Sequence, residues 1–270
     1  MADQRIKLCV AGAGGRMGQR ILALAVSDES FVITGALERA DHPSVGYDIS
    51  ASIGLKKALI VGGDVTASIS NCDVVVDFTT PGATLEHLEA AMKARRAMVI
   101  GTTGFTDEEK AKLNDLAARI ATVISANMSL GVNLLFALTE YATEILGSDF
   151  DVEIVEAHHR LKKDAPSGTA KRLAEIIAEK RGLDMKRDLR HGRAGIVGER
   201  PAGEIGVHAI RGGDIVGDHT VLFAGLGERL ELIHRAHSRD TFARGALKAA
   251  QFVVNQKPGI YSMQQVLGLK

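Results

Sequence analysis

The densest group of reactive side chains in the chain lies between Glu153 and Ala170. His158 and His159 are adjacent, and imidazoles exchange protons near neutral pH. Lys162 adds a positive charge, and the run Ser167-Gly168-Thr169 offers hydroxyl and N–H groups at the predicted start of a helix. The segment therefore predicts a site that holds a small anion and supplies a proton to it.

Two other interpretations of this segment stay open at the level of sequence. Adjacent histidines can bind a metal, but neighbours on an extended strand point to opposite faces and no cysteine lies nearby, so we expect no metal. The basic residues could also form a solvated loop without function.

A second group has the pattern of a dinucleotide-binding turn between a strand and a helix. The run consists of Gly12, Ala13, Gly14, Gly15, Arg16, Met17 and Gly18. Glycines let the backbone approach a pyrophosphate, and the start of the helix adds free N–H groups and a positive dipole end. Met17 stands where the usual GxGxxG fingerprint has its last glycine, so the spacing is Gly12-x-x-Gly15-x-x-Gly18. A plain tight turn is the alternative.

Glu38 and Arg39 follow the next predicted strand and bear on the choice of cofactor. Glu38 lies 20 residues after Gly18, where a carboxylate binds the ribose hydroxyls of NAD(H). Arg39 could pair with the 2′-phosphate of NADP(H) or remain a surface charge. We therefore expect either NADH or NADPH. Two later segments are predicted beside the nicotinamide, with ordinary turns as the alternative: Gly101, Thr102 and Thr103, and Ser125, Ala126, Asn127 and Met128.

Alternating strands and helices must position these groups in the first half of the chain. Such alternation predicts an α/β fold with a Rossmann-like, doubly wound parallel sheet. Thr106 with Glu109 has the spacing of a capping box, and the polar residues 41–52 indicate a loop. The predicted strands are 6–10, 31–37, 73–78, 97–100 and 122–126, and the predicted helices include 16–26 and 83–95.

The second half has a different rhythm, with three successive strand-like segments. These segments predict a second α+β domain with an open mixed sheet. The predicted elements are helices 132–146, 169–181 and 241–255 and strands 151–157, 203–211, 215–224 and 229–236. We predict a dinucleotide-binding domain at 1–130, to which 240–270 returns, and a substrate-binding domain at 131–239. Because the two predicted sites lie on different domains, we expect domain closure to bring them together.

The composition excludes several classes of protein. The chain has 270 residues, with 33 Lys+Arg against 33 Asp+Glu, so it lacks the basic surplus typical of nucleic-acid binding. No apolar run is long enough for a transmembrane helix, and the polar start at Met1–Arg5 does not resemble a signal peptide. Cys9 and Cys72 show no CxxC spacing, so we expect buried thiols and a cytoplasmic location.

The segment from Glu153 to Ala170 resembles the signature of the dihydrodipicolinate reductase family, E-[IV]-x-E-x-H-x-x-x-K-x-D-x-x-S-G-T-A. Every fixed position is filled, by Glu153, Ile154, Glu156, His158, Lys162, Asp164, Ser167, Gly168, Thr169 and Ala170. Leu161 is a departure, since many members carry another histidine there. The runs 12–18, 101–104, 125–133 and 211–219 also resemble the family, so the resemblance spans nearly the whole chain.

The resemblance implies NAD(P)H-dependent reduction of a cyclic dicarboxylate imine to (S)-2,3,4,5-tetrahydrodipicolinate, in diaminopimelate and lysine biosynthesis. It assigns general acid catalysis to His158, substrate binding to His159, and carboxylate binding with a further proton-donor role to Lys162. Gly168 and Thr169 would bind a carboxylate at the helix start. The family also implies a homotetramer built through the second-domain sheet.

Two different classes of function remain as alternatives. A non-catalytic NAD(P)-sensing protein would need the cofactor turn alone, without the signature at 153–170. Another two-domain dehydrogenase, such as a thiol-dependent semialdehyde dehydrogenase, would need a cysteine nucleophile, and both cysteines fall in strand regions of the first half.

Overall fold

The computed structural model describes residues 5–269, so the polar N-terminal residues 1–4 lie outside the described part. The chain divides into two compact units. The first contains the chain up to Leu130 and again from Asp240 onward, and the second is Gly131–Arg239. No helix within residues 5–269 is long and apolar enough to cross a membrane.

Strands and helices alternate through the first unit, and strands dominate the second. The strands are β1 Ile6–Ala11, β2 Phe31–Leu37, β3 Val61–Gly62, β4 Val74–Asp77, β5 Ala97–Ile100, β6 Ala121–Ile124, β7 Asp151–His158, β8 Leu189–His191, β9 Ile205–Arg211, β10 Gly217–Ala224, β11 Arg229–Ala236 and β12 Gly259–Tyr261. The helices are α1 Arg16–Val26, α2 Ser50–Ile53, α3 Val65–Ser70, α4 Pro81–Ala94, α5 Asp107–Ala117, α6 Leu130–Leu146, α7 Gly168–Arg181, α8 Asp240–Val253 and α9 Met263–Val266.

The first unit is a seven-stranded parallel sheet in the order β3-β2-β1-β4-β5-β6-β12. Alternate residues of a strand lie on opposite faces of the sheet. On β4, Val74 and Val76 pack with α1 and α8, whereas Val75 packs with α4 and α5. Both faces are therefore covered, which explains the absence of polar alternation in these strands. The order reverses between β1 and β4, and ligands of such sheets bind outside the carboxyl ends of the strands at that point.

The second unit is a five-stranded mixed sheet in the order β11-β10-β7-β9-β8. β7, β9 and β8 run parallel, and β10 is antiparallel to both β7 and β11. Ile154 and Phe223 pack with Leu173 of α7 on one face. On the opposite face Ile210 and Ile233 keep 51% and 47% of their surface exposed. The predicted fold class, a doubly wound parallel sheet with a second mixed sheet, is confirmed.

The structure differs from the predicted elements mainly where they are short. Helix α2 begins at Ser50, inside the stretch predicted as loop, and β3, α3, β8, β12 and α9 were not predicted. These elements have two to six residues, too few to show a period in the sequence. The predicted capping box of α5 is confirmed, because the Thr106 hydroxyl accepts from the Glu109 N–H and the Glu109 carboxylate accepts from the Thr106 N–H.

Candidate functional site

The glycine-rich turn of the first unit folds back on the end of β2. The N–H groups of Gly12 and Ala13 donate to the Leu37 carbonyl at 2.8 and 3.1 Å, and the Gly15 N–H donates to the Gly12 carbonyl at 2.9 Å. Gly15 caps α1 without a side-chain hydrogen bond. The first N–H groups of α1 therefore remain available to an anion at this helix end.

Two glycines in the turn are required by its geometry. Gly12 has φ +72°, and a Cβ on Gly18 would overlap the Gly12 carbonyl oxygen. A Cβ on Gly14 would lie 2.9 Å from the His42 ring and 3.2 Å from a Glu38 carboxylate oxygen, so a side chain there would require these groups to shift. Met17 packs partly buried against the core, which accounts for a large side chain where the usual fingerprint has glycine. A turn kept free of side chains at the start of a helix fits the pyrophosphate of a dinucleotide.

Glu38 and Arg39 are adjacent in sequence but differ in position. A Glu38 carboxylate oxygen accepts from the Gly14 N–H at 2.9 Å, so the carboxylate lies beside the turn at the carboxyl end of β2. Arg39 is on the surface, where its side chain is 72% exposed and its Nε lies 3.2 Å from the Asp41 carboxylate. The structure therefore brings the Glu38 carboxylate beside the glycine turn and leaves the Arg39 side chain on the surface.

The segments after β5 and β6, which were predicted beside the nicotinamide, differ in which side chains reach the surface. Thr102 is 6% exposed and its hydroxyl lies 2.7 Å from that of Thr84, so its side chain faces the interior. Met128 is 1% exposed and packs in the core. Thr103 and Ala126 are exposed. Any contact to a surface ligand from Thr102 or Met128 would come from the backbone.

Sequence reasoning missed a buried polar network at the end of β4. One Asp77 oxygen accepts from the N–H and the hydroxyl of Thr79, at 2.8 and 2.7 Å, and lies within 3.3 Å of the Thr84 and Thr102 hydroxyls. The other lies 2.7 Å from His87 Nδ1. Asp77 thus connects the loops that follow β4 and β5. An aspartate closing an otherwise apolar strand was the available signal, because a buried charge requires partners.

In the second unit, β7 carries His158 at its last position. Val152, Ile154 and Glu156 alternate on the covered face of the sheet, so Glu156 takes a core position and is fully buried. Its carboxylate lies 2.7 Å from His158 Nδ1. His159 lies just after the end of β7 and is not part of the strand. The expectation of no metal assumed that both histidines lie on one strand and point to opposite faces, and only His158 does lie on the strand.

Arg211 and Ser167 complete the surroundings of Glu156. Arg211 donates to both carboxylate oxygens at 2.7 and 2.8 Å, and the Ser167 N–H donates at 3.0 Å. Burial by itself would raise the pKa of the Glu156 carboxyl, but hydrogen bonds from Arg211, His158 and Ser167 outweigh it and lower the pKa. Glu156 therefore stays ionised. Arg211 belongs to a run noted for its family resemblance, but nothing in the sequence linked it to Glu156.

The Ser167 hydroxyl has two partners within the protein. Its hydroxyl accepts from the Ala170 N–H at 3.2 Å as the cap of α7, and it lies 3.0 Å from His219 Nε2. His219 is 3% exposed, and burial together with the nearby His158 lowers its pKa to about 3. Gly168 is exposed at the first position of α7, where backbone N–H groups have no partner within the helix.

Lys162 lies in the loop between β7 and α7 and is paired within it. Its ammonium donates to both Asp164 oxygens at 2.9 and 2.8 Å, which lowers the pKa of that carboxyl. Arg211 donates to the Asp164 carbonyl at 2.7 Å, so the same arginine holds the loop and Glu156. Among residues 5–269, no group of three or more His, Cys, Asp and Glu side chains is placed to hold a metal ion.

Comparison with known proteins gives matches to both units. The family model described as dihydrodipicolinate reductase, N-terminus, matches residues 6–128, and the C-terminus model matches residues 131–267. A 4-hydroxy-tetrahydrodipicolinate reductase of Geotalea uraniireducens is 52% identical over 266 residues, covering 98% of this chain and 100% of that protein. The corresponding protein of Syntrophus aciditrophicus is 48% identical, covering 98% and 99%.

A solved structure of similar fold carries a ligand. Dipicolinate-bound dihydrodipicolinate reductase from Paenisporosarcina sp. TG-14 aligns with a TM-score of 0.77 and 28% identity, covering 97% of this chain and 99% of that one. With both family models matched and relatives near 50% identity over almost the full length, the chain belongs to the dihydrodipicolinate reductase family.

Proposed function

We propose that this chain reduces, with NADH or NADPH, the cyclic imine derived from 4-hydroxy-tetrahydrodipicolinate to (S)-2,3,4,5-tetrahydrodipicolinate, in diaminopimelate and lysine biosynthesis. The observation that carries the proposal is the pairing of His158 with the buried Glu156, in the same loop region as Lys162 and the start of α7. Both units of the chain match the two halves of the reductase family.

Each unit supplies one part of this chemistry. The glycine turn and α1 hold the pyrophosphate of the cofactor, and Glu38 binds its ribose hydroxyls. When bound, the reduced nicotinamide supplies a hydride. Reduction of a conjugated imine leaves an electron-rich enamine that must take up a proton, and His158 donates it. A positioned acid of this kind accelerates a reaction by roughly 10²–10⁴-fold.

The two substrate carboxylates require cationic and N–H partners. Lys162 binds one of them and contributes as a further proton donor, exchanging its present partner Asp164 for the substrate. The N–H groups of Gly168 and Thr169 at the start of α7 bind a carboxylate, and His159 lies in the adjoining loop. Ser167 shapes this helix start, because its hydroxyl caps α7.

We expect both cofactors to be used. The Glu38 carboxylate suits the free 2′-hydroxyl of NADH, whereas the exposed Arg39 next to it can pair with the 2′-phosphate of NADPH. Measuring kcat/KM for both cofactors in the same preparation tests this. A preference of more than roughly a thousandfold for either one would contradict it, since that is about 4 kcal/mol of discrimination.

The decisive assay follows NAD(P)H oxidation with freshly condensed synthase product. His158→Gln should lower kcat by roughly 10²–10⁴-fold while dipicolinate, the ligand of the Paenisporosarcina structure, still binds in calorimetry. Lys162→Ala should lose dipicolinate affinity, and the neighbouring Lys163→Ala is its control. His208→Gln is the control for His158→Gln, because His208 also pairs with a β7 glutamate, Glu153, at 2.7 Å. Cofactor binding without oxidation of NAD(P)H would favour the sensing protein instead.

We propose a homotetramer assembled through the sheet face that carries Ile210 and Ile233. Both side chains are about half exposed, on the face opposite α7, and burying them on another copy would remove apolar surface from water. Light scattering on the purified chain tests this, and a monomer would contradict it. We also propose a cytoplasmic location, which the buried free thiols of Cys9 and Cys72 support.

A further inference from the structure

The Glu156 carboxylate makes a closed set of contacts. One oxygen lies 2.7 Å from His158 Nδ1 and accepts from Arg211 at 2.7 Å, and the other accepts from Arg211 at 2.8 Å and from the Ser167 N–H at 3.0 Å. Four donors satisfy a fully buried carboxylate, which needs them because an unpaired buried charge is costly. Hydrogen bonds to both oxygens therefore fix the orientation of the Glu156 carboxylate.

This arrangement decides which nitrogen of His158 can act. An ionised carboxylate only accepts hydrogen bonds, so the 2.7 Å contact requires a proton on Nδ1. The other nitrogen, Nε2, then carries the proton that can be transferred. A hydrogen bond to one ring nitrogen fixes the role of the other in this way in many histidine sites.

Gly217 borders Nε2 of His158. A Cβ at position 217 would lie 3.1 Å from that nitrogen and 3.5 Å from the adjacent ring carbon Cδ2. Gly217 lies on β10 and its φ is outside the left-handed region, so its backbone does not require glycine. A side chain at position 217 would therefore press on Nε2 of His158.

Other charged groups around His158 come from every neighbouring element. The His219 ring on β10 meets the His158 ring edge-on, with centroids 5.3 Å apart, and its low pKa keeps it neutral and unable to repel an imidazolium. Lys162 and Asp164 in the loop form an ion pair with each other. Glu156 and His219 contact His158 directly, and Arg211 contacts Glu156. Lys162 and, on β11, His234 act electrostatically on His219, and Asp164 interacts with Lys162 and Arg211.

We propose that Glu156, clamped by Arg211, is the positioning residue of the proton donor: it holds a proton on Nδ1 of His158 and leaves Nε2, beside Gly217, as the donating atom. The inference deepens the proposed function and rests on it. Glu156 contacts neither substrate nor cofactor in this role. It acts on the tautomer of His158.

The test compares Glu156→Gln with Glu153→Gln. Glu153 lies on the same strand and is held by Arg193, Arg200 and His208, but on the opposite face of the sheet. Histidine ¹⁵N NMR, with His158 assigned by its loss in His158→Gln, reports the tautomer of the neutral ring. The wild type should show neutral His158 with the proton on Nδ1. Glu156→Gln should shift the population towards Nε2–H, because a neutral amide, unlike a carboxylate, does not require a donor on Nδ1.

Kinetics provide a second readout. The kcat should fall in Glu156→Gln with little change in KM, and should stay near the wild-type value in Glu153→Gln. An unchanged tautomer in Glu156→Gln would overturn the inference. If the wild type reduces no imine, the proposed function fails, while the NMR measurement still decides whether Glu156 sets the tautomer.

Gly217→Ala keeps the inference testable if Glu156→Gln does not fold. The added methyl group should lower kcat by roughly tenfold, because its tight contact with Nε2 displaces the donating atom and misplacement of a catalytic group is costly. Gly212→Ala is the matched control, because a Cβ there meets nothing within 4 Å and its φ is ordinary. Equal kcat values for the two alanine variants would contradict the position assigned to Nε2.

Discussion

Replacing His219 by glutamine should remove part of the acid sensitivity of this protein. His219 is 3% exposed, and burial together with the nearby His158 lowers its pKa from 6.5 to about 3. Its Nδ1 has no hydrogen-bond partner within the described residues, which adds to the cost of charging the ring. Glutamine can keep the hydrogen bond to Ser167 but cannot take up a proton in this range.

The direction follows from the two pKa values of His219. Below pH 6.5 the unfolded chain binds a proton at this position, while the folded protein does not until about pH 3. The unfolded state is therefore favoured as the pH falls through this window, and stability is lost. About pH 5 is roughly 1.5 units below the ordinary pKa of histidine. Each unit corresponds to about 1.36 kcal/mol, so the free energy of unfolding is lower there by about 2 kcal/mol.

Urea unfolding at fixed protein concentration, at about pH 7.5 and about pH 5, measures this loss. The wild type should lose about 2 kcal/mol more than His219→Gln between the two pH values. His191→Gln, which removes an exposed histidine, should behave as the wild type does. If His219→Gln and the wild type lose the same free energy of unfolding on acidification, His219 is not held neutral by burial and the argument fails.

Two further substitutions test the first unit. Gly18→Ala should lower the melting temperature and abolish NADH binding measured by fluorescence, because its Cβ would overlap the Gly12 carbonyl. Gly82→Ala is the control, since it lies at the open start of α4 and should change neither property. Normal NADH binding by Gly18→Ala would contradict the proposed turn. Asp77→Asn should raise the KM for NADH roughly tenfold with a smaller effect on kcat, because it loosens the loops after β4 and β5 at about 1–2 kcal/mol. Asp73→Asn, just before the start of the same strand, should leave KM unchanged, and an equal rise in both variants would count against the positioning role of Asp77.

Much of the first unit could be predicted from local patterns. Helix α1 and strand β2 have the predicted bounds, because amphipathic and buried runs of this length show their period without tertiary help. The glycine turn and the placement of Glu38 beside it followed for the same reason, since a strand, a turn and a helix in sequence leave few alternatives.

Contacts between distant residues could not be predicted in this way. Arg211 and Glu156 are 55 positions apart, and their pairing depends on β9 lying beside β7. Strands β9 and β10 follow one another in the chain, yet β7 lies between them in the sheet. Thr102 is predicted as a cofactor contact, and the sequence did not indicate that its hydroxyl turns inward, towards Asp77, 25 positions earlier.

The sequence alone determined the type of each unit, the family, and the segment 153–170 in which the chemistry lies, because residue types, spacing and periodicity are local properties. Only the tertiary structure decided which nitrogen of His158 is bonded to Glu156, which residue borders the other nitrogen, and which buried charges hold the loops. Those properties depend on sheet order and on the satisfaction of buried charges, and both are set by contacts between residues far apart in the chain.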